Sequence, residues 1–244
     1  LEFRRVLFRS LMDWAGPASF EPTDRRRGVG EHPHRGFETV TIVYAGEVAH
    51  RDSSGGGGVI GPGGVQWMTA ASGVVHEEFH GPDFAARGGD FEMIQLWVNL
   101  PAKDKMREPR YQAITADRIP TVDLDASGSL RLIAGDYAGT TGPAQTYSPM
   151  LIADLQVPDG GQVDLALPAG YTAALVVRGG TVRLPDGGAV ASGRVGVFDR
   201  AGETLRIAAD SNLEALVLAG EPLDEPIVGS GPFVMNTEGE IRQA

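Results

Sequence analysis

The chain has 244 residues, of which 42% are apolar, and its 21 Lys and Arg against 32 Asp and Glu give a net charge of −11. This charge disfavours direct binding to nucleic acid or to an anionic membrane, and no apolar stretch approaches the roughly 18 residues that span a bilayer. The absence of cysteine excludes disulfides, thiolate metal ligands and cysteine nucleophiles, and it fits a reducing cytoplasm, where we expect the protein to be located.

The two ends of the chain differ from the rest. Residues 1–10, LEFRRVLFRS, lack the apolar core and cleavage site of a signal peptide and resemble a translated sequencing adapter, so we expect an assembly artefact there. The last residues, 240–244, look like the opening of a truncated C-terminal helix. We therefore expect natural sequence to be missing at both ends.

All five histidines lie between positions 32 and 80, mainly in two clusters, His32-Pro33-His34 and His76-Glu77-Glu78. Side chains alternate faces along a strand, so His32 shares a face with His34, and His76 shares one with Glu78. If the two segments are neighbouring strands, three imidazoles and one carboxylate converge. The sequence therefore predicts a metal site.

Such a ligand set suits iron(II), manganese, nickel, copper or zinc and leaves coordination positions free for water, oxygen or substrate. The alternative is that these histidines are separate surface or core residues. His50 and His80 do not share the spacing of the first four residues, and we expect them beside the ligands or at the surface. Arg35 is expected either at the rim of the site or on the surface.

The first half of the chain is predicted to be short strands between glycine turns. Residues 37–49 are β-branched and aromatic around a Gly-Glu turn, which predicts a hairpin. Further strands are expected at 65–69 and 91–99, and residues 100–118, with their prolines and charges, are expected to be a connector.

The second half continues in the same style and contains no histidine. Eight strands are predicted, at residues 130–134, 150–156, 162–167, 171–178, 180–184, 195–199, 204–208 and 213–219. Residues 41–48 and 175–182 each pair an apolar strand with a glycine turn and a returning strand, which indicates a duplicated barrel. We predict an all-β chain with a metal-binding barrel at 11–115, a linker at 116–129 and a metal-free barrel at 130–244.

Four long strings carry a resemblance to a known family. HPHRGFETVTIVYAGEVAHRDS, VIGPGGVQWMTAASGVVHEEF, FEMIQLWVNLPAKDKM and GEPLDEPIVGSGPFVMNTEGEI resemble the pirin family of bicupins over nearly the whole chain. The resemblance implies two cupin barrels with one metal, usually iron(II), in the first. It also implies the ligands His32, His34, His76 and Glu78. Bacterial members are expected to be dioxygenases that act on the flavonol quercetin.

In the dioxygenase hypothesis, a flavonol displaces water from the iron, ionises, and reacts with dioxygen so that its central ring opens with loss of carbon monoxide. Glu78 is the predicted catalytic group because it could also accept the flavonol proton. Glu38 is expected to lie behind the ligands without coordinating. The predicted pocket walls are Phe37, Trp67, Met68 and Met93, whose large apolar surfaces suit a flat aromatic guest; the alternative for each is ordinary barrel core.

Two other functions compete with this hypothesis. The resemblance to eukaryotic pirins implies an iron-dependent, redox-sensing regulator that acts through protein partners, and its expected mark is a basic patch near the metal. Arg25–Arg27 is the candidate for that patch. The third possibility is a non-redox cupin, such as an isomerase that uses zinc or manganese.

Overall fold

The computed structural model describes residues 12–244, so the predicted artefact at 1–10 lies outside the described residues. Two compact units are present: residues 12–118 with Asp224–Ala244 form the first, and Ile119–Leu223 form the second. The predicted boundaries differ at the C-terminus, because the last 21 residues group with the first unit and not with the second barrel.

The first unit is built from two antiparallel sheets. Its first nine strands are β1 (Met12–Phe20), β2 (Gly28–His34), β3 (Phe37–Ala45), β4 (Val48–Asp52), β5 (Gly57–Ile60), β6 (Val65–Thr69), β7 (Val74–His80), β8 (Gly89–Asn99) and β9 (Arg110–Ile114). A short helix, α1 (Pro82–Arg87), precedes β8, and a 3-10 turn at Ala102–Asp104 and another at Ala116–Arg118 flank β9. The five-stranded sheet has the order β1-β8-β3-β6-β9, and the four-stranded sheet has the order β2-β7-β4-β5.

The predicted hairpin at residues 37–49 is wrong in its pairing. Both strands form, but β3 pairs with β6 and β8, whereas β4 pairs with β5 and β7 in the other sheet. Gly46 turns the chain between the sheets with a φ of +81°, and a Cβ there would lie 2.6 Å from the Phe91 ring. Local sequence predicts the two strands but not which sheet each one joins.

The second unit has the same antiparallel style. Its strands are β10 (Thr121–Asp123), β11 (Ser129–Ala134), β12 (Asp136–Tyr137), β13 (Thr140–Thr141), β14 (Met150–Val157), β15 (Gln162–Ala166), β16 (Thr172–Gly179), β17 (Thr181–Arg183), β18 (Ala189–Ala191), β19 (Arg194–Phe198), β20 (Thr204–Ala209) and β21 (Leu213–Gly220). They form sheets of the order β10-β11-β14-β21-β16-β19 and β15-β20-β17-β18, with β12 and β13 as a separate pair. All eight strands predicted for this region are present within one or two residues. The predicted linker contains β10 and a 3-10 turn at Asp125–Ser127.

The C-terminal segment folds back onto the first unit. It contains the hairpin of β22 (Val228–Ser230) and β23 (Phe233–Met235), followed by α2 (Glu238–Gln243). The buried Lys105 Nζ donates to the carbonyls of Gly36 and Val234, at 2.6 and 2.9 Å, and Val234 N donates to Arg35 O at 3.0 Å. These bonds explain why the segment groups with the first unit.

The expected all-β class is confirmed, and so are the two barrels. In the part of the chain that the structure describes, neither helix is long and apolar enough to cross a membrane.

Candidate metal centre

Both histidine clusters lie on paired strands. β2 and β7 are antiparallel neighbours, with His32 opposite His76 and His34 opposite Val74. The pairing shifts by one residue between Val29 and His32, so that His32, and not Glu31, comes opposite His76. This extra residue in β2 brings both imidazoles of the first cluster to the face that carries His76.

The three imidazoles of His32, His34 and His76 meet at one place. Their ring centroids are 4.3 to 4.8 Å apart, and one nitrogen from each lies within 4.8 Å of the others. His34 and His76 are buried, and His32 is partly exposed. This trio could hold a metal ion.

Hydrogen bonds orient two of these rings. His32 Nδ1 lies 2.8 Å from the carbonyl of Gly30, and His34 Nδ1 lies 3.4 Å from the carbonyl of Pro232. A carbonyl can only accept, so both Nδ1 atoms carry a proton, and Nε2 is the nitrogen of each ring left to bind a metal. Histidines that bind metals in proteins usually donate their second ring nitrogen in this way.

The buried Nε2 of His76 has no hydrogen-bond partner within the described chain. The pKa of His76 is lowered to about 2, mainly by burial and next by the nearby imidazole of His34. Burial, with the nearby His32, also lowers the pKa of His34 to about 4. Both rings are therefore neutral near pH 7, which is the form that binds metal.

Glu78 joins this cluster through His76. It forms a second, overlapping group with His50 and His76, in which one ligand atom of each residue lies within 4.8 Å of the others. The structure therefore brings His32, His34 and His76 together, and it places Glu78 beside His76 in the second group and not in the first.

Three donors hold the Glu78 carboxylate. Gln66 Nε2 and Thr41 Oγ1 donate to its Oε1, at 3.0 and 3.3 Å, and Gln95 Nε2 donates to its Oε2 at 2.7 Å. All three come from the inner face of the five-stranded sheet, opposite the strand that carries Glu78. Sequence reasoning missed these donors. Alternation along β3, β6 and β8 could have grouped them only once the pairing of these strands was known.

Two of the four predicted pocket residues lie on that inner face close to the site. The ring of Phe37 is 5.0 Å from His34 and stacks on Trp97 at 4.3 Å, and Trp97 is itself 5.2 Å from His34. Met68 is buried and packs near Tyr111. Trp97 was not predicted, although its position two residues after Gln95 places it on the same face.

The structure differs from the prediction at the other two pocket residues. Trp67 is opposite Val40 on the outer face of the sheet, because it alternates with Gln66 and Met68. Met93 packs against Phe84 and the apolar cluster around it. Neither lines the histidine cluster in this structure.

Glu38 lies on the outer face with Trp67, and therefore not directly behind the ligands. Thr69 Oγ1 donates to its Oε1 at 2.6 Å. Burial raises the pKa of Glu38 to about 7, against the opposing effect of the hydrogen bond from Thr69. Glu38 is therefore partly protonated near neutral pH.

The remaining candidates lie outside the cluster, except His50. His80 packs among the rings of Phe20, Phe84 and Phe91, 4.6 to 5.0 Å away. Arg35 points away from the histidines, where its NH1 donates to Gln243 O at 2.9 Å. His50 is buried beside His76, with the two Nδ1 atoms 3.3 Å apart, which is the first of the two positions expected for it.

The predicted basic patch is partly engaged by neighbouring side chains. Arg26 pairs with Glu77 at 2.9 Å and lies over the Phe79 ring at 3.6 Å. Arg27 lies over the ring of Phe20 at 5.4 Å and donates to Glu21 O.

Fold and site together define a bicupin with one histidine-rich barrel, and comparison with family models agrees with this class. The family model described as Pirin matches residues 4–98, and that of the Pirin C-terminal cupin domain matches residues 152–244. The chain therefore belongs to the pirin family.

Relatives from several organisms extend this result. A Pseudomonas aeruginosa protein named "Putative quercetin 2,3-dioxygenase" is 55% identical over 235 residues, which cover 96% of this chain and 82% of that protein. Pirin-1 of Arabidopsis thaliana is 37% identical, over 89% of this chain and 75% of its own length.

Solved structures show the same fold. A crystal structure named quercetin 2,3-dioxygenase, from Acinetobacter baumannii, has a TM-score of 0.93 and 51% identity, covering 96% of this chain and 81% of that one. The bacterial pirin YhhW of Escherichia coli, solved in complex with nickel(II), has a TM-score of 0.65 at 21% identity, over 87% of this chain and 81% of that one. This second likeness concerns the fold alone.

Proposed function

We propose that this protein binds one Fe(II) per chain in its first barrel and uses it as a dioxygenase that opens the central ring of a flavonol such as quercetin. The observation that carries the proposal is the cluster of His32, His34 and His76, in which one nitrogen from each ring lies within 4.8 Å of the others. Relatives that cover nearly the whole chain and are named quercetin dioxygenases support the choice of substrate.

The residues fit a divalent transition metal. In this proposal His32, His34 and His76 each contribute Nε2, and Glu78 contributes a carboxylate oxygen. Neutral imidazoles with one carboxylate suit iron and several other metals. The buried, unpartnered Nε2 of His76 supports this set, because a buried nitrogen without a partner costs free energy unless something binds it.

When bound, the ion supplies Lewis-acid chemistry toward the flavonol hydroxyl and a site at which dioxygen can react. Glu78 is the chain's own base for this step. Because its carboxylate already receives bonds from Thr41, Gln66 and Gln95, its position is fixed when a substrate hydroxyl arrives. Taking the flavonol proton requires one of these donors to give way.

The aromatic side chains beside the site support a flat guest. Phe37 and Trp97 stack on each other next to His34 and offer ring surface for a substrate to pack against. Both belong to the five-stranded sheet, which is a rigid support for a binding wall. We therefore assign Phe37 and Trp97 to the flavonol pocket, with Met68 next to them.

An oxygen assay tests the proposal. Protein loaded anaerobically with Fe(II) and mixed with quercetin in air should consume oxygen, bleach the flavonol absorbance and release carbon monoxide in equal amounts. Protein loaded with Zn(II) is the control, since zinc has no redox chemistry. Stoichiometric Fe(II) without oxygen uptake would contradict the enzyme function and favour the regulatory alternative, in which iron acts through protein partners.

A further inference from the structure

Behind His76 lies a second row of buried polar groups. β4 carries His50 and Asp52 on the face that carries His76 and Glu78 on β7. His50 Nε2 is 2.9 Å from Asp52 Oδ2, and both side chains are fully buried. On its other side, His50 Nδ1 is 3.3 Å from His76 Nδ1. Asp52, His50 and His76 therefore form a chain of hydrogen bonds that ends at the proposed metal position.

The backbone turn after β4 fixes which atoms donate and which accept in this chain of hydrogen bonds. Asp52 Oδ1 accepts three hydrogen bonds, from Ser54 N at 2.8 Å, Ser54 Oγ at 2.6 Å and Gly56 N at 2.9 Å. Oδ2 is left to face His50. Since a carboxylate accepts, His50 Nε2 must carry a proton and donate it.

The proton on one nitrogen of His50 sets the state of the next ring. When Nε2 carries the single proton of the His50 ring, Nδ1 has a lone pair, and His76 donates to it from its own Nδ1. The Nε2 of His76 then keeps its lone pair. That atom is the buried one without a partner.

We propose that Asp52 and His50 are positioning residues that fix His76 in the tautomer able to bind the metal through Nε2. This inference rests on the metal site of the proposed function. The ring of Tyr111 stacks on His50 at 5.0 Å and 11°, which holds the His50 plane in line. Outer partners of this kind typically change metal affinity 10- to 100-fold when they are removed.

Asp52→Asn is the sharpest test, because it should reverse the chain of bonds. The three donors on Oδ1 can only be met by the amide oxygen, so the amide nitrogen has to face His50. His50 Nε2 then accepts, His50 Nδ1 donates to His76 Nδ1, and the proton of His76 moves to Nε2. The metal-binding lone pair of His76 is thereby lost.

The experiment reads the tautomer directly in metal-free protein labelled with ¹⁵N-histidine. Long-range ¹H–¹⁵N spectra distinguish a protonated Nδ1 from a protonated Nε2 in each of the five rings. We expect His76 to be protonated at Nδ1 in the wild type and at Nε2 in Asp52→Asn. Anaerobic titration with Fe(II) should show a 10- to 100-fold weaker affinity for the variant.

Three further variants keep the test decisive. His50→Phe preserves the ring packed on Tyr111 but removes the acceptor, and we expect mixed tautomers of His76 with a smaller loss of Fe(II) affinity than in Asp52→Asn. Its matched control, His80→Phe, changes a histidine outside the cluster, and Asp164→Asn changes an exposed aspartate of the second unit; both should leave the His76 signal and the affinity unchanged.

A wild-type His76 protonated at Nε2, or an Asp52→Asn protein that keeps the wild-type tautomer, would overturn the inference. The spectra need neither metal nor substrate. A protein with the expected tautomers that binds no Fe(II) would therefore contradict the proposed function and not the arrangement of Asp52, His50 and His76.

Discussion

The two barrels share an architecture but fill their interiors differently. In the first unit, buried histidine, glutamate, glutamine and threonine side chains meet between the sheets. In the second unit, the corresponding space is filled by an apolar cluster of leucine, valine, isoleucine and alanine, with Leu175 among its fully buried members. The difference teaches that this fold accepts a polar centre where neighbouring strands supply a partner for nearly every polar atom.

One pair of positions from the internal repeat illustrates the point. Thr41 on β3 donates to Glu78, whereas Leu175 on β16 lies in the apolar cluster opposite Val217. Both residues begin the repeated pattern of strand, glycine turn and strand. The hydroxyl at position 41 donates to a carboxylate on the facing sheet, whereas the aliphatic side chain at position 175 only packs against other apolar groups.

His76→Ala should have the largest effect on the polar barrel. Removing the imidazole shared by both candidate ligand groups should weaken Fe(II) binding more than about 100-fold and abolish flavonol turnover. This loss exceeds the one expected on removing a residue that only hydrogen-bonds to a ligand. Elemental analysis and oxygen uptake measure both. The far-ultraviolet circular dichroism should stay that of the wild type, and the control His80→Ala should still bind one iron. Full iron content in His76→Ala would exclude this residue as a ligand.

Leu175→Ala tests the apolar barrel. Truncating this fully buried leucine should lower the free energy of unfolding by about 2–5 kcal/mol, because it removes apolar contacts and leaves a cavity. Urea denaturation measures the loss, while iron content at low temperature should be unchanged. Val197→Ala, at a side chain that is 45% exposed, is the matched control and should cost less than about 0.5 kcal/mol. A change in iron content would show that the two barrels are not independent in this respect.

Glu38→Gln tests the outer face of the five-stranded sheet in the first barrel, where the buried Glu38 lies. Because burial raises the pKa of Glu38 from 4.5 to about 7, the folded protein binds this proton more tightly than the unfolded chain does. This tighter proton binding therefore contributes fully to the free energy of unfolding of the wild type below about pH 4.5. The contribution is lost as the pH rises through 7. An uncharged glutamine does not titrate.

The stability of metal-free Glu38→Gln relative to the wild type should thus increase by roughly 3 kcal/mol from pH 4 to pH 8. Urea denaturation across this range measures it. The free energy of unfolding of the exposed control, Glu203→Gln, should differ from that of the wild type by the same amount at every pH. A flat difference between Glu38→Gln and the wild type would mean that this carboxyl titrates alike in both states.

Gln95→Leu should have the smallest effect. It removes the donor to Glu78 Oε2 but leaves those from Gln66 and Thr41 to Oε1. We expect Fe(II) to bind about 10- to 100-fold more weakly, or about 1.4–2.7 kcal/mol, because the carboxylate is less well oriented. Anaerobic titration measures this, with Gln162→Leu on the exposed face of the second unit as control. An unchanged affinity would place Glu78 outside the metal's coordination.

Much of the fold could be predicted from local patterns. Short β-branched runs between glycine turns marked all eight predicted strands of the second barrel, because strand propensity and turn chemistry are local properties. Strand pairing is not local. The strands of residues 37–49 were expected to pair with each other, but each joins a different sheet.

The candidate site divides in the same way. The spacing of the histidines placed His32 with His34 and His76 with Glu78, and the structure keeps each pair on one face. The extra residue in β2, the position of His50 behind His76, and the turn of Glu38 and Trp67 to the outer face all depend on register. Register is set by contacts between strands that are far apart in sequence.

The amino-acid sequence by itself determined the all-β class, the duplication and the residue types of the proposed metal site, since composition, periodicity and spacing are written along one segment at a time. Only the tertiary structure decided which nitrogen of each histidine is held and which is free. That choice depends on partners such as Pro232 beside His34 and His50 beside His76, which are distant in sequence and reach the rings through folding.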